Sequence, residues 1–378
     1  MPENVETFLH DVLEAEHYQK LKKINSPRLN KFIADYIDLC NPASVFICTD
    51  SPEDIDYIRR QALENGEEKS LNIKGHTVHF DNYHDQARDK DHTAILIPEG
   101  KKLDDAIETK DRDSSLLEIR EILKDIMKGS ELFVRFFCLG PTHSSFSIPS
   151  VQLTDSAYVA HSEDLLYRTG YEEFIRQGSE ARFFKFIHSQ GQLDENKTCK
   201  NLDLRRVYID LEEETVYSAN TQYGGNTIGL KKLAMRLAIH RGSLEGWLTE
   251  HMLIMAIHGP GHRSTYFTGA FPSLCGKTST AMLEGETIVG DDIAYLRKND
   301  GDVRAVNVEK GIFGIIMGIN SKDDPIQWNA LHSPNEVIFS NILVTPDGDA
   351  YWAGKDGKVP EKGINHSGEW YPGKLDAK

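Results

Sequence analysis

Residues 271–282, FPSLCGKTSTAM, carry the Gly276-Lys277-Thr278 of a phosphate-binding loop between a predicted strand and a predicted helix. Loops of the form G-x-x-x-x-G-K-[ST] hold phosphate because backbone N–H groups at a helix N-terminus face the anion. The lysine meets the β- and γ-phosphates and the hydroxyl ligates the nucleotide's metal. Here Phe271 stands where the first glycine is expected. A motif this short also arises by chance, so by itself it is evenly balanced against a plain strand-to-helix turn. Its neighbours shift the balance. Downstream, the run TIVG ends in Asp291 and Asp292, where phosphoryl-transfer proteins keep carboxylates for divalent metal. Upstream, the turn Tyr223-Gly224-Gly225-Asn226 precedes Lys231 and Lys232, and His251 follows. Paired lysines usually make a solvated face, but at a helix start their charge opposes the dipole. A histidine among apolar residues is usually a satisfied core residue, and His251 stands one helical turn after Trp247 in a segment read as helical.

Elements of both periods must position these groups. Helical spacing is evident in two stretches of the first forty residues, through Phe8, Leu9, Val12 and Leu13 and then through Leu29, Phe32, Ile33, Tyr36 and Ile37. SVFICTDSPEDIDYIRRQALENG reads as strand, turn and helix, with Ser51 as N-cap, Pro52 at the first helical position and Gly66 as the stop. TAILIP and ELFVRFFCLG read as strands, Ser114 to Lys128 as an amphipathic helix, and RRVYIDLEEETVYSAN as a hairpin. Beyond residue 222, KKLAMRLAIHR reads as one helix, EGWLTEHMLIMAI as a second and STYFTGAF as the strand entering the loop. The HGPGH cluster at 258–262 reads as a turn.

With 378 residues, 39% hydrophobic and 27% charged, the chain is globular material for two domains. A net charge of −16 argues against binding nucleic acid or an anionic membrane, both polyanions, so any anion site must be a local basic pocket. Cys40, Cys48, Cys138, Cys199 and Cys275 form no C-x-x-C pair, which excludes a disulfide framework or structural zinc site as the default. The N-terminus has neither the basic start nor the apolar centre of a signal peptide, so a cytoplasmic protein is expected.

In this order and near these spacings, YGGN…KK, EGWLTEHMLI, FPSLCGKTSTAM and GDDIAYL closely resemble the GTP-dependent phosphoenolpyruvate carboxykinases. That family's loop reads F-P-S-x-C-G-K-T, which makes Phe271 the family's own residue. LCNPASVFICTDS, QARDKDHTAIL, LFVRFFCLGP and LTDSAYV echo further family segments, so the likeness covers essentially the whole chain. The resemblance implies an α/β, two-domain fold: a mixed α/β domain on the substrate side over 1–222 and a P-loop, metal-binding domain over 223–378. The implied reaction, reversible and gluconeogenic when it forms phosphoenolpyruvate, converts oxaloacetate and GTP to phosphoenolpyruvate, GDP and carbon dioxide. Decarboxylation leaves an enolate, which calls for a cation where the charge develops.

The resemblance places Mn²⁺ on Lys232, His251 and Asp292, with Mg²⁺ accompanying GTP and Thr278 on the nucleotide's metal. Either lysine of the pair is a candidate ligand; alignment with the family's pair favours Lys232, leaving Lys231 cationic beside the substrate. A ligating lysine must be neutral, a state that coordination favours. Arg88 takes the substrate carboxylate, with Tyr223, Gly224, Gly225, Asn226 and Ser273 shaping the same pocket. Ser273, Leu274, Cys275, Gly276, Lys277, Thr278, Ser279, Asp291 and Phe313 form the nucleotide side. Arg88, Lys231 and Cys275 complete the catalytic set; Cys275, at a helix N-terminus, is expected to have a lowered thiol pKa but is not assigned as a nucleophile.

Family members continue past the segment matching YWAGKDGK, into further substrate residues, the guanine pocket and a mobile lid. The chain alone is therefore expected to expose apolar surface and to turn over weakly or not at all. The alternatives are a metal- and phosphoenolpyruvate-binding module without catalysis, or one half of an enzyme completed by a C-terminal partner chain. A monomer is the family expectation. Preference for ATP is disfavoured by the loop and the EGWL-x-EHM segment.

Overall fold

The computed structural model describes residues 2, 4–81, 85, 89–195, 197–222, 229–272 and 275–374, with only the backbone at 229 and 230. Arg88, Tyr223, Gly224, Gly225, Asn226, Ser273 and Leu274 lie outside the described residues.

The N-terminal stretch folds as three helices where two were expected: α1 (Val5–Val12), α2 (Ala15–Ile24) and α3 (Pro27–Cys40). Asn25 breaks the second from the third in the left-handed conformation that asparagine tolerates. Strand β1 (Ser44–Ile47) leads to α4 (Pro52–Glu64), whose N-cap Ser51 accepts the Asp54 N–H and whose first residue is proline. Then come β2 (Lys69–Ser70), β3 (His76–His79), β4 (Thr93–Ile97) and β5 (Thr109–Asp111). Helix α5 spans Arg112–Leu123, shorter than the expected run to Lys128, because Lys124 is extended and Asp125 has a φ of 56°. Next are β6 (Glu131–Leu139), β7 (Ile148–Thr154), α6 (Ala157–Leu166), β8 (Arg168–Thr169), α7 (Tyr171–Gln177) and β9 (Phe184–Ser189). The expected hairpin is β10 (Arg206–Asp210) against β11 (Thr215–Ala219).

These strands build a nine-stranded mixed sheet in the order β1-β6-β7-β9-β11-β10-β4-β5, with β8 on β6. Alternating side chains go to opposite faces. Phe136, Ile187 and Tyr217 face a core formed with α1, α2, α3, α5 and α7; Phe137, Phe186 and Val216 face a second core on the other side. That second core receives Leu237 and Ala238 of α8 (Ala234–Glu245), together with Leu233, Trp247 and Tyr295. The sheet is thus the floor on which the lysine-bearing helix rests.

The segment after Gly246 departs from expectation. EGWLTEHMLIMAI forms strands, β12 (Leu248–Glu250) and β13 (Met252–His258), where a helix was read. An unbroken apolar run fits a buried strand as well as a helix, and pairing decides. Strand β13 is the centre of a three-stranded antiparallel sheet between β14 (Ser264–Ala270) and β15 (Thr287–Gly290), while β12 pairs with β16 (Ala294–Asn299). Helix α9 (Lys277–Ala281) lies between β14 and β15. Strand β17 (Asp302–Asn307) completes the β12-β16-β17 sheet, and α10 (Pro325–Ala330) follows. Strand β18 (Val337–Ser340) returns to pair in parallel with β3, joining the late chain to the early chain. Tyr266 and Phe267 of β14 and Ile288 and Val289 of β15 are exposed. Among the described residues no helix is long and apolar enough to cross a membrane.

Candidate active site

Three distant stretches meet at Asp292. Lys231 and Lys232 come from the last turns of a π-helical segment, Gly229–Leu233, that runs directly into α8; such widened turns recur at functional positions. His251 stands between β12 and β13, in the bend where the chain passes from one sheet to the other, and not on a helix as read from sequence. Asp291 and Asp292 follow the end of β15. Gly290 allows the approach, since a Cβ there would lie 2.2 Å from the Asn307 side chain on β17.

Lys232 Nζ lies 2.8 Å from His251 Nε2 and 3.1 Å from Asp292 Oδ2, and His251 Nε2 lies 2.5 Å from Asp292 Oδ1. Donors that share a cation at bond lengths of about 2.0–2.2 Å sit about 3 Å apart, so this triangle has the size of a set of adjacent ligands. Amine, imidazole and carboxylate suit a borderline divalent ion. Among the described residues no three His, Cys, Asp or Glu side chains cluster in this way, because the third donor here is an amine.

The two lysines occupy different electrostatic settings. Lys231 is buried, 3.0 Å from Asp292 Oδ2 and 3.1 Å from Glu309 Oε1, with its Nζ 5.3 Å from the centre of the Phe313 ring. Burial alone would lower its pKa, but Glu309, Asp292 and Asp291 outweigh that and raise it. Lys232, partly exposed, has a lowered pKa: burial dominates, Asp292 opposes it, and the charges of Lys231 and Lys277 add to it. The pair therefore contains one amine held charged and one shifted toward the neutral form that a ligand needs.

Asp292 is buried, and burial would raise its pKa. His251, both lysines of the pair and Lys277 together hold it well below the usual carboxylate range. Asp291, with less compensation, is raised by burial.

The phosphate loop adjoins this cluster. Gly276 caps α9 at a φ of +85°, a left-handed conformation that favours glycine. Lys277 contacts the Asp292 carboxylate and lies 3.3 Å from its backbone oxygen. Thr278 Oγ1 donates to Asp291 Oδ2 at 3.1 Å, which puts hydroxyl and carboxylate together at one end of the loop. Ser279 is turned outward, donating to Asp324 at 3.1 Å, and Cys275 is an exposed free thiol. Phe271 packs with Leu253, Met255 and Ala281, and its ring is 3.0 Å from where a Gly269 Cβ would sit. The residue in the first glycine's place is a hydrophobic anchor that fastens the loop to β13.

Glu309 is the participant sequence reasoning missed. Fully buried just beyond β17, it has its pKa pushed up to about 7 by burial, with Lys231 pulling the other way. In sequence it stands between Val308 and Lys310 shortly before Phe313, a pattern with no intrinsic chemistry.

Residues 31–243 match the phosphoenolpyruvate carboxykinase N-terminal domain, and residues 247–378 match the phosphoenolpyruvate carboxykinase C-terminal P-loop domain. Among curated relatives, the phosphoenolpyruvate carboxykinase (GTP) of Thermococcus sibiricus is 63% identical over 372 residues, covering 98% of this chain and 60% of the relative. That of Saccharolobus solfataricus is 47% identical over 96% of this chain and 58% of its own. That of Chlamydia muridarum is 34% identical over 93% and 61%. The chain thus spans about 60% of the length of the curated relatives it matches.

Proposed function

The chain belongs to the GTP-dependent phosphoenolpyruvate carboxykinase family, and from that premise we propose that the protein decarboxylates oxaloacetate and phosphorylates the resulting enolate with GTP, reversibly. The observation that carries the reading is the convergence of Lys232, His251 and Asp292 beside the Lys277–Thr278–Asp291 end of the phosphate loop. Those three side chains would hold a Mn²⁺ ion, which would supply positive charge where the enolate oxygen develops.

The chain's own residues account for the remaining requirements. Breaking the bond to the departing carboxylate leaves an electron pair on the three-carbon fragment, as carbon dioxide is lost. Lys231, its charge supported by the ion pairs with Glu309 and Asp292, would stabilise that negative charge. The enolate oxygen then attacks the γ-phosphorus and the bond to the GDP oxygen breaks. Lys277 would meet the charge building on the phosphoryl oxygens, and Thr278 and Asp291, 3.1 Å apart, would hold the nucleotide's Mg²⁺. By family resemblance alone, Arg88, Tyr223–Asn226 and Ser273, which lie outside the described residues, are assigned to the substrate and Phe313 to the nucleotide. Five free cysteines accord with a reducing, cytoplasmic setting.

The test is to supply the whole protein with oxaloacetate, GTP and Mn²⁺ and to follow carbon dioxide, GDP and phosphoenolpyruvate together. Stoichiometric formation of all three, with ATP the poorer donor, is expected. GTP hydrolysis without phosphoenolpyruvate, from protein that binds Mn²⁺, would discard the assignment.

A further inference from the structure

Both lysines of the pair reach the same oxygen. Asp292 Oδ2 lies 3.0 Å from Lys231 Nζ and 3.1 Å from Lys232 Nζ, and it is Lys232 that also meets His251, at 2.8 Å. Lys231 meets Glu309 Oε1 instead, at 3.1 Å. Its ammonium is thus divided between Asp292, which belongs to the metal set, and Glu309, which does not.

The backbone around Glu309 is fixed on several sides, so this fully buried carboxylate is held in place. Val308 O accepts the Gly140 N–H and Arg168 Nη1, each at 3.0 Å, while the N–H groups of Lys310 and Gly311 donate to Leu166 O at 2.8 and 3.2 Å. Gly311 admits that approach, since a Cβ there would lie 2.0 Å from Leu165 O. The Val308 N–H in turn donates to Ile293 O at 3.2 Å. Val308 precedes Glu309 and Ile293 follows Asp292, so the backbones beneath the two carboxylates are joined.

Competition for Asp292 makes the arrangement consequential. A divalent ion that binds this carboxylate must share it with the ammonium groups or displace them. Together Lys231 and Glu309 present no net charge to an arriving cation, whereas Lys231 alone presents a positive one. A buried ammonium that loses one carboxylate also depends wholly on the other. We propose that Glu309 is a positioning residue for the metal site: by holding Lys231 it keeps that lysine from claiming Asp292, and leaves Asp292 to act with Lys232 and His251 on the metal. The inference rests on the reading of Lys232, His251 and Asp292 as the metal ligands.

The test is electron paramagnetic resonance titration of the whole protein with Mn²⁺, which reads free against bound ion and needs no turnover. It compares wild type, Glu309→Gln, Glu309→Gln combined with Lys231→Met, and Lys232→Ala. Glu309→Gln is expected to weaken Mn²⁺ binding by about tenfold or more, and the double variant to return to within about threefold of wild type, because the competing lysine is gone. Glu309→Asp, which keeps the charge on a shorter stem, should fall between wild type and Glu309→Gln. Alone and combined with Lys231→Met, it carries the test if Glu309→Gln does not fold. Mn²⁺ binding by Glu309→Gln as tight as wild type, or tighter, would overturn the inference. So would a double variant as weak as Glu309→Gln, because Glu309 would then act through the fold and not through Lys231. Either result leaves the metal reading standing. Wild-type Mn²⁺ affinity in Lys232→Ala would remove the metal reading itself, and this inference with it.

Discussion

Lys231 and Lys232 are chain neighbours, yet their surroundings divide the work between them. Glu309 and Asp292 raise the pKa of the first, while burial and two nearby ammonium groups lower that of the second. Substituting Lys232, His251 or Asp292 by alanine should therefore weaken Mn²⁺ binding by tenfold or more, whereas Lys231→Ala should leave most of it and cost turnover. Electron paramagnetic resonance titration decides the matter: equal loss in the two lysine variants would undo the division. Glu309→Gln removes one of the two carboxylates paired with a buried ammonium; with Asp292 still in place, this should cost about 1–3 kcal/mol in urea unfolding. Asp292 was marked by an acidic pair after an apolar run, a local pattern, whereas His251 by itself read as a core histidine and was singled out only through the family resemblance of EGWLTEH. Glu309 was not, because its meaning comes only from the lysine folded against it across 78 residues of chain.

At the level of elements, the phosphate loop is held by a backbone conformation and by an apolar anchor. Gly276→Ala would force an alanine into a φ of +85°, at about 1–2 kcal/mol of strain, and should weaken GTP binding, as measured by calorimetry. Phe271→Gly would restore the general loop pattern, yet it removes a ring packed on Leu253, Met255 and Ala281. It is expected to lower stability by roughly 1–3 kcal/mol and to weaken nucleotide binding as well. Tighter nucleotide binding in that variant would show that Phe271 is not an anchor. The loop was legible because strand, glycine, lysine, hydroxyl and helix are consecutive. The N-cap at Ser51, the hairpin around residues 211–214 and the strands at 93–97 and 131–139 were legible for the same reason, each being encoded within a few residues. The helix read into EGWLTEHMLIMAI failed because MLIMAI has no alternation. Its strand character is imposed by β14 and β15 on either side, the first paired residue by residue from Met252 to His258.

Across the whole molecule, the late chain is tied back to the early chain by more than the β3–β18 pairing. Glu336, just before β18, accepts from Arg59 of α4, with Arg59 Nη2 at 2.8 Å, and lies 3.5 Å from His161 Nε2 of α6. The other ring nitrogen of His161 is 2.8 Å from Glu68 Oε1, so each nitrogen faces a carboxylate and the imidazolium is favoured. Burial opposes the charge on His161, but Glu336 and Glu68 outweigh it and raise the pKa to about 9. For Glu336, burial is likewise outweighed, by Arg59 and His161, and its pKa is well below the usual range. The signs fix the window. A histidine raised from 6.5 to about 9 contributes fully below pH 6.5 and loses that contribution as pH rises through 9. A lowered glutamate contributes above its unfolded value of 4.5 and loses it in acid. Wild type should therefore exceed Glu336→Gln in stability most between about pH 4.5 and 6.5, with the gap narrowing toward pH 10. Because Glu336 is partly exposed, solvent screening keeps the maximum near 1 kcal/mol. Urea midpoints of both proteins across that range test the tie. A gap that stays constant to pH 10 would show that Arg59 alone carries it, and that His161 is neutral where the structure places it between two acids.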